Sequence, residues 1–220
     1  KHRPYQLSGG QQQRAALGRI LVNKPKLLML DEPFSALDIY LRERLQAEMR
    51  ELLKSYGGPV LLVTHSRDEA YRLCRSIAVM DKGSTTPPRL TKELFEDPHT
   101  VAVASLTGCK NISRAEKRGE HQLYAVDWGV TLSTAAELHD GLCAVGVRAH
   151  DIHEEERHNR YAIVCGQSIE DPFELTQPFT FACQGDKKML LWVKLQRREP
   201  YSAPKEVGIA PDKVLPLYEK

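Results

Sequence analysis

Leu27-Leu28-Met29-Leu30-Asp31-Glu32-Pro33 is answered further along the chain by Val60-Leu61-Leu62-Val63-Thr64-His65. Each is a short unbroken apolar run that ends in side chains able to do chemistry. Such runs read as strands buried on both faces of a parallel sheet. Between them, Leu41, Leu45, Met49, Leu52, Leu53 and Tyr56 fall on one helical stripe, with Arg44 and Glu48 on another face. Gly57-Gly58-Pro59 stops that helix, and the second strand begins at once. A helical crossover of this kind brings the two strands parallel. The expected fold of this part is therefore α/β, a parallel sheet with helices.

Ligands of open α/β sheets bind at the carboxyl ends of the strands. Asp31 and Glu32 sit at one such end. Neighbouring strand side chains diverge, so the two divide the work: one reaches a hard cation such as Mg²⁺, directly or through water, and the other faces an attacking water. The plainer reading is a polar strand exit with Pro33 ending the ladder. His65 leaves the parallel strand beside a helix that Ser66 opens, with Glu69 completing a capping box. An imidazole there can hydrogen-bond a phosphate and hold a water in place. Upstream, Leu7-Ser8-Gly9-Gly10-Gln11 opens another helix. Ser8 and Gln11 have capping-box spacing, and the same geometry serves a second purpose. Two glycines let a polyphosphate approach the free N–H groups at the positive end of the helix dipole.

In order and spacing these residues resemble the ATP-binding-cassette (ABC) ATPases. Leu7–Gln11 resembles their signature loop, Leu27–Glu32 their Walker B strand, Ser35-Ala36-Leu37-Asp38 their D-loop and His65 their switch histidine. The resemblance implies part of a phosphate-loop nucleotide-hydrolase fold that uses ATP and Mg²⁺. It implies that Asp31 helps bind Mg²⁺, that Glu32 polarises the attacking water and that His65 senses the γ-phosphate. Ser8, Gly9, Gly10 and Gln11 would contact the γ-phosphate of ATP held by a second subunit in a head-to-tail homodimer, and Asp38 would cross that interface. The 220 residues contain no Gly-x-x-x-x-Gly-Lys-Ser/Thr loop and begin with Lys1. The expectation is a truncated chain with negligible ATPase activity by itself, because phosphoryl transfer depends on cradling the transferred group.

Composition limits the alternatives. The chain has a net charge of +2 and no long block of like charge, which disfavours a nucleic-acid partner. No apolar run reaches the length of a membrane span, so a soluble protein is expected. Five cysteines, at 74, 109, 143, 165 and 183, form no Cys-x-x-Cys pair, as expected of reduced thiols in a cytosolic setting.

After a short strand at 77–80 and a turn at Asp81-Lys82-Gly83, the prolines of Ser84-Thr85-Thr86-Pro87-Pro88 suggest irregular chain. Thr91–Phe95 reads as a short helix closed by Asp97-Pro98. From Gly108 the texture becomes β-rich, with runs at 122–126, 129–132, 142–147, 161–164, 179–183 and 189–193. Asp140-Gly141 and Gly185-Asp186 are the clearest turn signals. The organisation expected is an ATPase part at 1–95, a linker at 96–107 and an all-β, OB-like or barrel domain at 108–220. Glu154-Glu155-Glu156-Arg157-His158 reads as a solvated loop within it.

Gly146-Val147-Arg148-Ala149-His150-Asp151-Ile152 is similar to a Gly-Val-Arg-Pro-Glu-Asp-Ile stretch of the TOBE/Mop-like regulatory domain appended to many import ATPases, with Ala149 and His150 in place of Pro and Glu. Thr107-Gly108-Cys109-Lys110-Asn111 resembles the junction of molybdate-type subunits. The resemblance implies the energy-coupling subunit of a bacterial importer, peripheral on the cytoplasmic face of the membrane and held by transmembrane permease subunits. Molybdate or a related oxyanion, which the β domain could bind, comes first as cargo; sulfate, ferric iron, polyamine and sugar follow. The competing readings are a non-transport ABC ATPase and an anion-binding module with a vestigial ATPase remnant.

Overall fold

A computed structural model describes residues 3–7, 9–23, 25–35, 37–183, 189–196 and 202–219. The chain divides into two units, Lys1–Ile77 and Ala78–Lys220. The expected class holds, an α/β part followed by a β-rich part. Among the described residues no helix is long and apolar enough to cross a membrane.

In the first unit the elements run α1 (Gly9–Val22), β1 (Leu28–Asp31), α2 (Ile39–Tyr56), β2 (Val60–Val63), α3 (Arg67–Leu73) and β3 (Ser76–Ile77). β1 and β2 are parallel, with Leu28 opposite Val60 and Asp31 opposite Val63. The crossover helix α2 starts on Asp38, whose carboxylate accepts the Leu41 N–H at 2.9 Å. At its other end the Tyr56 hydroxyl donates to the Pro25 carbonyl at 2.6 Å, tying the helix end to the approach to β1. Phe34, Leu45 and Met49 form the core here, with Leu30, Leu37, Leu41, Leu53 and Leu73 packed on it.

Two expectations are corrected in this unit. The strands are covered on one face only: Leu28 is buried, whereas Met29 is 65% exposed and Leu61 and Val63 are each about half exposed. The cause is the period of two: Leu30 packs against Phe34, Leu45 and Met49, and the intervening side chains point away. Leu52 is likewise exposed, since it lies at the margin of the stripe centred on Leu45 and Met49.

The second unit opens with a small hairpin where irregular chain was expected. β4 (Met80–Asp81) pairs antiparallel with β5 (Ser84–Thr85) through Lys82 and Gly83, both at positive φ. Two positive-φ residues match the right-handed twist of the flanking strands. The prolines fall just beyond, at 87 and 88, so Ser84 and Thr85 keep their N–H groups. The Thr86 hydroxyl and N–H then extend the ladder to Val79. β6 (Arg89–Leu90), α4 (Thr91–Glu96) and α5 (Val101–Leu106) follow, so helix occupies half of the stretch expected as linker.

The rest is two antiparallel sheets over one core. The first runs β17 (Leu215–Tyr218), β10 (Leu142–Val147), β7 (Asn111–Lys117), β8 (Gln122–Ala125), β9 (Val130–Ser133). The second runs β11 (Ile152–His153), β16 (Glu206–Ile209), β12 (Tyr161–Cys165), β14 (Glu174–Phe181), β13 (Ile169–Glu170), with β15 (Leu191–Gln196) also on β14. Leu123, Leu132 and Val145 of the first meet Phe179, Phe181, Val193 and Ile209 of the second, together with fully buried Trp128. Phe181 meets Tyr161 and Phe179 edge-on, with centroids 5.4 and 5.5 Å away. The Asp140-Gly141 turn forms; Gly185-Asp186 lies outside the described residues.

Three details account for motifs singled out in the sequence. Arg148 donates to the Thr107 carbonyl at 2.8 Å and to the Phe95 carbonyl, pinning the ends of α4 and α5 against the end of β10. Asn111 donates to the Trp192 carbonyl at 2.8 Å and accepts the Trp192 N–H at 2.7 Å, so its amide acts as a rung between β7 and β15. Burial pushes the Cys109 thiol up to about 11, which makes it a core side chain rather than a reactive one.

Candidate functional site

The parallel pairing carries β1 and β2 side by side to the same end. Glu32 extends the ladder one step beyond Asp31, donating its N–H to the Val63 carbonyl at 2.9 Å. Its backbone then turns sharply, with φ at +45°, although Glu32 is not glycine and precedes Pro33. A bulky residue before proline prefers extended backbone, and a left-handed one costs about 1–3 kcal/mol unless the surroundings enforce it. Here the Glu32 carbonyl accepts both the Ser35 N–H and the Ser35 hydroxyl, at 3.2 and 3.0 Å, and these bonds hold the turn.

The turned carboxylate meets the imidazole that leaves β2. His65 Nδ1–H donates to Glu32 Oε1 at 2.6 Å, with the His65 side chain 78% exposed and that of Glu32 35%. The hydrogen bond to Glu32, and then its negative charge, raise the His65 pKa above the ordinary 6.5, while Arg42 opposes the shift. Arg42 donates to the Leu37 carbonyl at 3.0 Å in the loop between β1 and α2. Asp31 lies at the strand end and is exposed.

The remaining candidates are placed as follows. Gly9 and Gly10 form the first turn of α1 and Gln11 is exposed on it; Ser8 lies outside the described residues, as does Ala36 of the D-loop stretch. Asp38 caps α2, so that its carboxylate has a structural task in this unit. The structure therefore brings Glu32 and His65 together, while Asp38 is engaged with its own helix.

Sequence reasoning missed one feature beside His65. Ser66 does cap α3, accepting the Glu69 N–H at 3.4 Å, but the expected reciprocal half of the box is absent. The Glu69 carboxylate instead accepts the Thr64 hydroxyl at 2.6 Å, and Thr64 Oγ1 takes the Ser66 N–H at 3.0 Å. The Ser66 N–H is thus already taken by Thr64, and Glu69 is buried. The spacing Thr-x-x-x-x-Glu across the helix start was the available signal.

Mg²⁺ takes one or two carboxylates and fills its remaining positions with water and phosphate oxygens. Among the described residues no group of three or more His, Cys, Asp or Glu side chains is gathered into a metal cage. The exposed Asp31 at the strand exit fits the first requirement, as a single carboxylate shared with a phosphate-bearing ligand.

An α/β unit with a carboxylate and an imidazole meeting at adjacent parallel strand exits is the class that fold and geometry define. Residues 1–35 match the family model described as ABC transporter. The chain is 38% identical over 157 residues to a spermidine/putrescine import ATP-binding protein of Thermobifida fusca, covering 69% of this chain and 41% of the relative. It is 43% identical over 115 residues to the Vibrio cholerae protein of the same description, covering 52% and 30%. An Fe(3+) ions import ATP-binding protein of Mannheimia succiniciproducens is 39% identical over 145 residues, covering 65% and 41%. The chain thus spans about two-fifths or less of the length of these relatives. By these matches the chain is similar to ABC importer ATP-binding proteins, over its first 35 residues to the family model and over 115–157 residues to these relatives.

Proposed function

We propose that this chain carries the acidic and signature parts of the ATP-hydrolysing site of an importer-type ABC ATPase. The observation that carries the reading is the contact between Glu32 and His65, 33 positions apart, at the exits of parallel strands, with Glu32 held at positive φ to make it. Glu32 polarises the water that attacks the γ-phosphate, and His65 holds that phosphate through a ring N–H. Asp31 supplies the carboxylate for Mg²⁺, which when bound neutralises phosphate charge. Ser8, Gly9, Gly10 and Gln11 offer the helix start to the γ-phosphate of ATP on a second, head-to-tail subunit, and Asp38 adds to that interface while capping α2.

The relatives are named as import proteins, which favours transport over a nucleic-acid or ribosome-linked ATPase. Transmembrane permease subunits are the partners this requires, with the chain on the cytoplasmic face. In this reading residues 1–95 are the ATPase part, 96–107 a structured connection gripped by Arg148, and 108–220 the regulatory β domain. Cargo is a separate matter. The molybdate preference draws on Thr107–Asn111, yet Thr107 and Asn111 spend their polar groups on Arg148 and Trp192. The relatives are named for spermidine/putrescine and Fe(3+). The reading adopted is an importer ATPase whose cargo is chosen elsewhere; titration of molybdate, tungstate and sulfate into the chain, with no heat for any, removes the oxyanion.

ATP hydrolysis tests the proposal. The 220 residues contain no phosphate loop, so the chain alone should hydrolyse negligibly. Fused behind a phosphate-loop segment of the Gly-x-x-x-x-Gly-Lys-Ser/Thr type, it should hydrolyse ATP and lose about 10²–10⁴-fold in kcat on Glu32→Gln. Robust hydrolysis by the chain alone, or a fusion indifferent to Glu32→Gln, contradicts it.

A further inference from the structure

We propose that Thr64 and Glu69 are positioning residues for His65, acting through one hydroxyl that ties the backbone on both sides of the imidazole to a buried carboxylate. Glu69 is only 4% exposed, and among the described residues no cation pairs with it. A buried carboxylate is costly unless it is satisfied. The Thr64 hydroxyl donates to it, replacing part of the hydration lost on burial.

The geometry identifies the purpose. Thr64 precedes His65 and Ser66 follows it, and Thr64 Oγ1 serves both: it donates to Glu69 Oε2 at 2.6 Å and accepts the Ser66 N–H at 3.0 Å. Accepting the carboxylate's demand fixes the hydroxyl rotor, which leaves its lone pairs aimed at the Ser66 N–H. The peptide units flanking His65 are thereby held from the first turn of α3. His65 itself is 78% exposed and has no packing to hold it, so the direction in which its side chain leaves the backbone is set by this tether. That direction is what brings Nδ1 to Glu32 across the end of the sheet. Glu69 also faces His65 with its charge and favours the protonated ring.

The consequence for hydrolysis rests on the ATPase reading above, but the tether is tested without nucleotide. The test uses the whole 220-residue chain with ¹⁵N-labelled histidine, in which the other seven of the eight histidines serve as internal controls. In the wild type, the His65 ring nitrogens should show the shifts of a hydrogen-bonded Nδ1 and a cross-peak to the Glu32 side chain. Thr64→Val keeps the shape and removes the hydroxyl; it should lose that cross-peak and move the His65 signals toward those of a free ring. Thr64→Ser should restore both. Glu69→Gln, which keeps an acceptor, should fall between, and if Glu69 variants fail to fold the Thr64 pair alone decides. Unchanged His65 signals in folded Thr64→Val, or their loss in Thr64→Ser as well, overturn the proposal. If the tether holds while the fusion protein ignores Glu32→Gln, the ATPase reading fails and the positioning stands.

Discussion

Two glutamate–histidine pairs, one in each unit, are nearly identical in length and differ in how the chain builds them. His65 meets Glu32 at 2.6 Å and His158 meets Glu156 at 2.7 Å, and all four residues lie at least partly in solvent. The first pair joins residues 33 apart through two parallel strands and a strained backbone. The second joins neighbours two apart, within a loop where Glu156 also takes the Arg157 and His158 N–H groups and Arg160 grips the Glu154 and Glu156 carbonyls. A short contact thus says little by itself. What separates a candidate site from a self-capping loop is how much of the fold is spent on making the contact.

The β-rich unit invests in its core, so the largest effect should come from there. Phe181→Ala removes a ring in contact with Tyr161 and Phe179 and should cost about 3–5 kcal/mol, read as a lower denaturant midpoint for that unit. Next, Gly208→Ala should break the second pair and spare the first. A Cβ there would lie 2.3 Å from the Glu156 carbonyl oxygen, which is backbone and cannot simply swing aside, so about 1–3 kcal/mol is expected together with loss of the His158 contact. In the α/β unit, Asp38→Ala should cost about 1 kcal/mol by uncapping α2, visible as a lower helix melting midpoint, and Asp38→Ser should recover most of it.

Acidity should then separate the pairs. The N–H and ring of His158 hold Glu156 down to about 2 from its ordinary 4.5, so its contribution is complete above 4.5 and is lost as the pH falls through about 2. For His65 the sign is opposite. Its pKa is raised, so its contribution is complete below 6.5 and is lost as the pH rises through the raised value. Histidine signals followed across the range should show the β-unit loop loosening at the acid end and the His65 side of the strand exit releasing at the alkaline end. The smallest effect is expected of Glu48→Gln, which breaks an exposed i,i+4 pair with Arg44 and should change stability by less than about 0.5 kcal/mol.

The α/β half was legible because its signals are local and chemical: an apolar run, a cap at Asp38 and carboxylates at a strand exit. Burial was less so, since Leu27–Leu30 and Val60–Val63 carry no sign of which face α2 covers. In the β half, β7 escaped the sequence because its inward residues are Asn111, Ser113 and Ala115, so the period of two appears in burial without appearing in hydrophobicity. Asn111 earns its place by a contact with Trp192, 81 positions away, which no local pattern announces. At the site, the two strand exits were readable separately. Their meeting needed the positive φ of Glu32, which the following proline argued against, and the tether from Glu69.

In the proposed function Glu32 and His65 work as one unit on a phosphate. A double-mutant cycle on kcat in the phosphate-loop fusion tests it most directly. If the pair is one device, Glu32→Gln, His65→Ala and the double variant should lose activity by nearly the same factor, because breaking either half already disables the whole. Losses that multiply would show two independent residues and contradict the account.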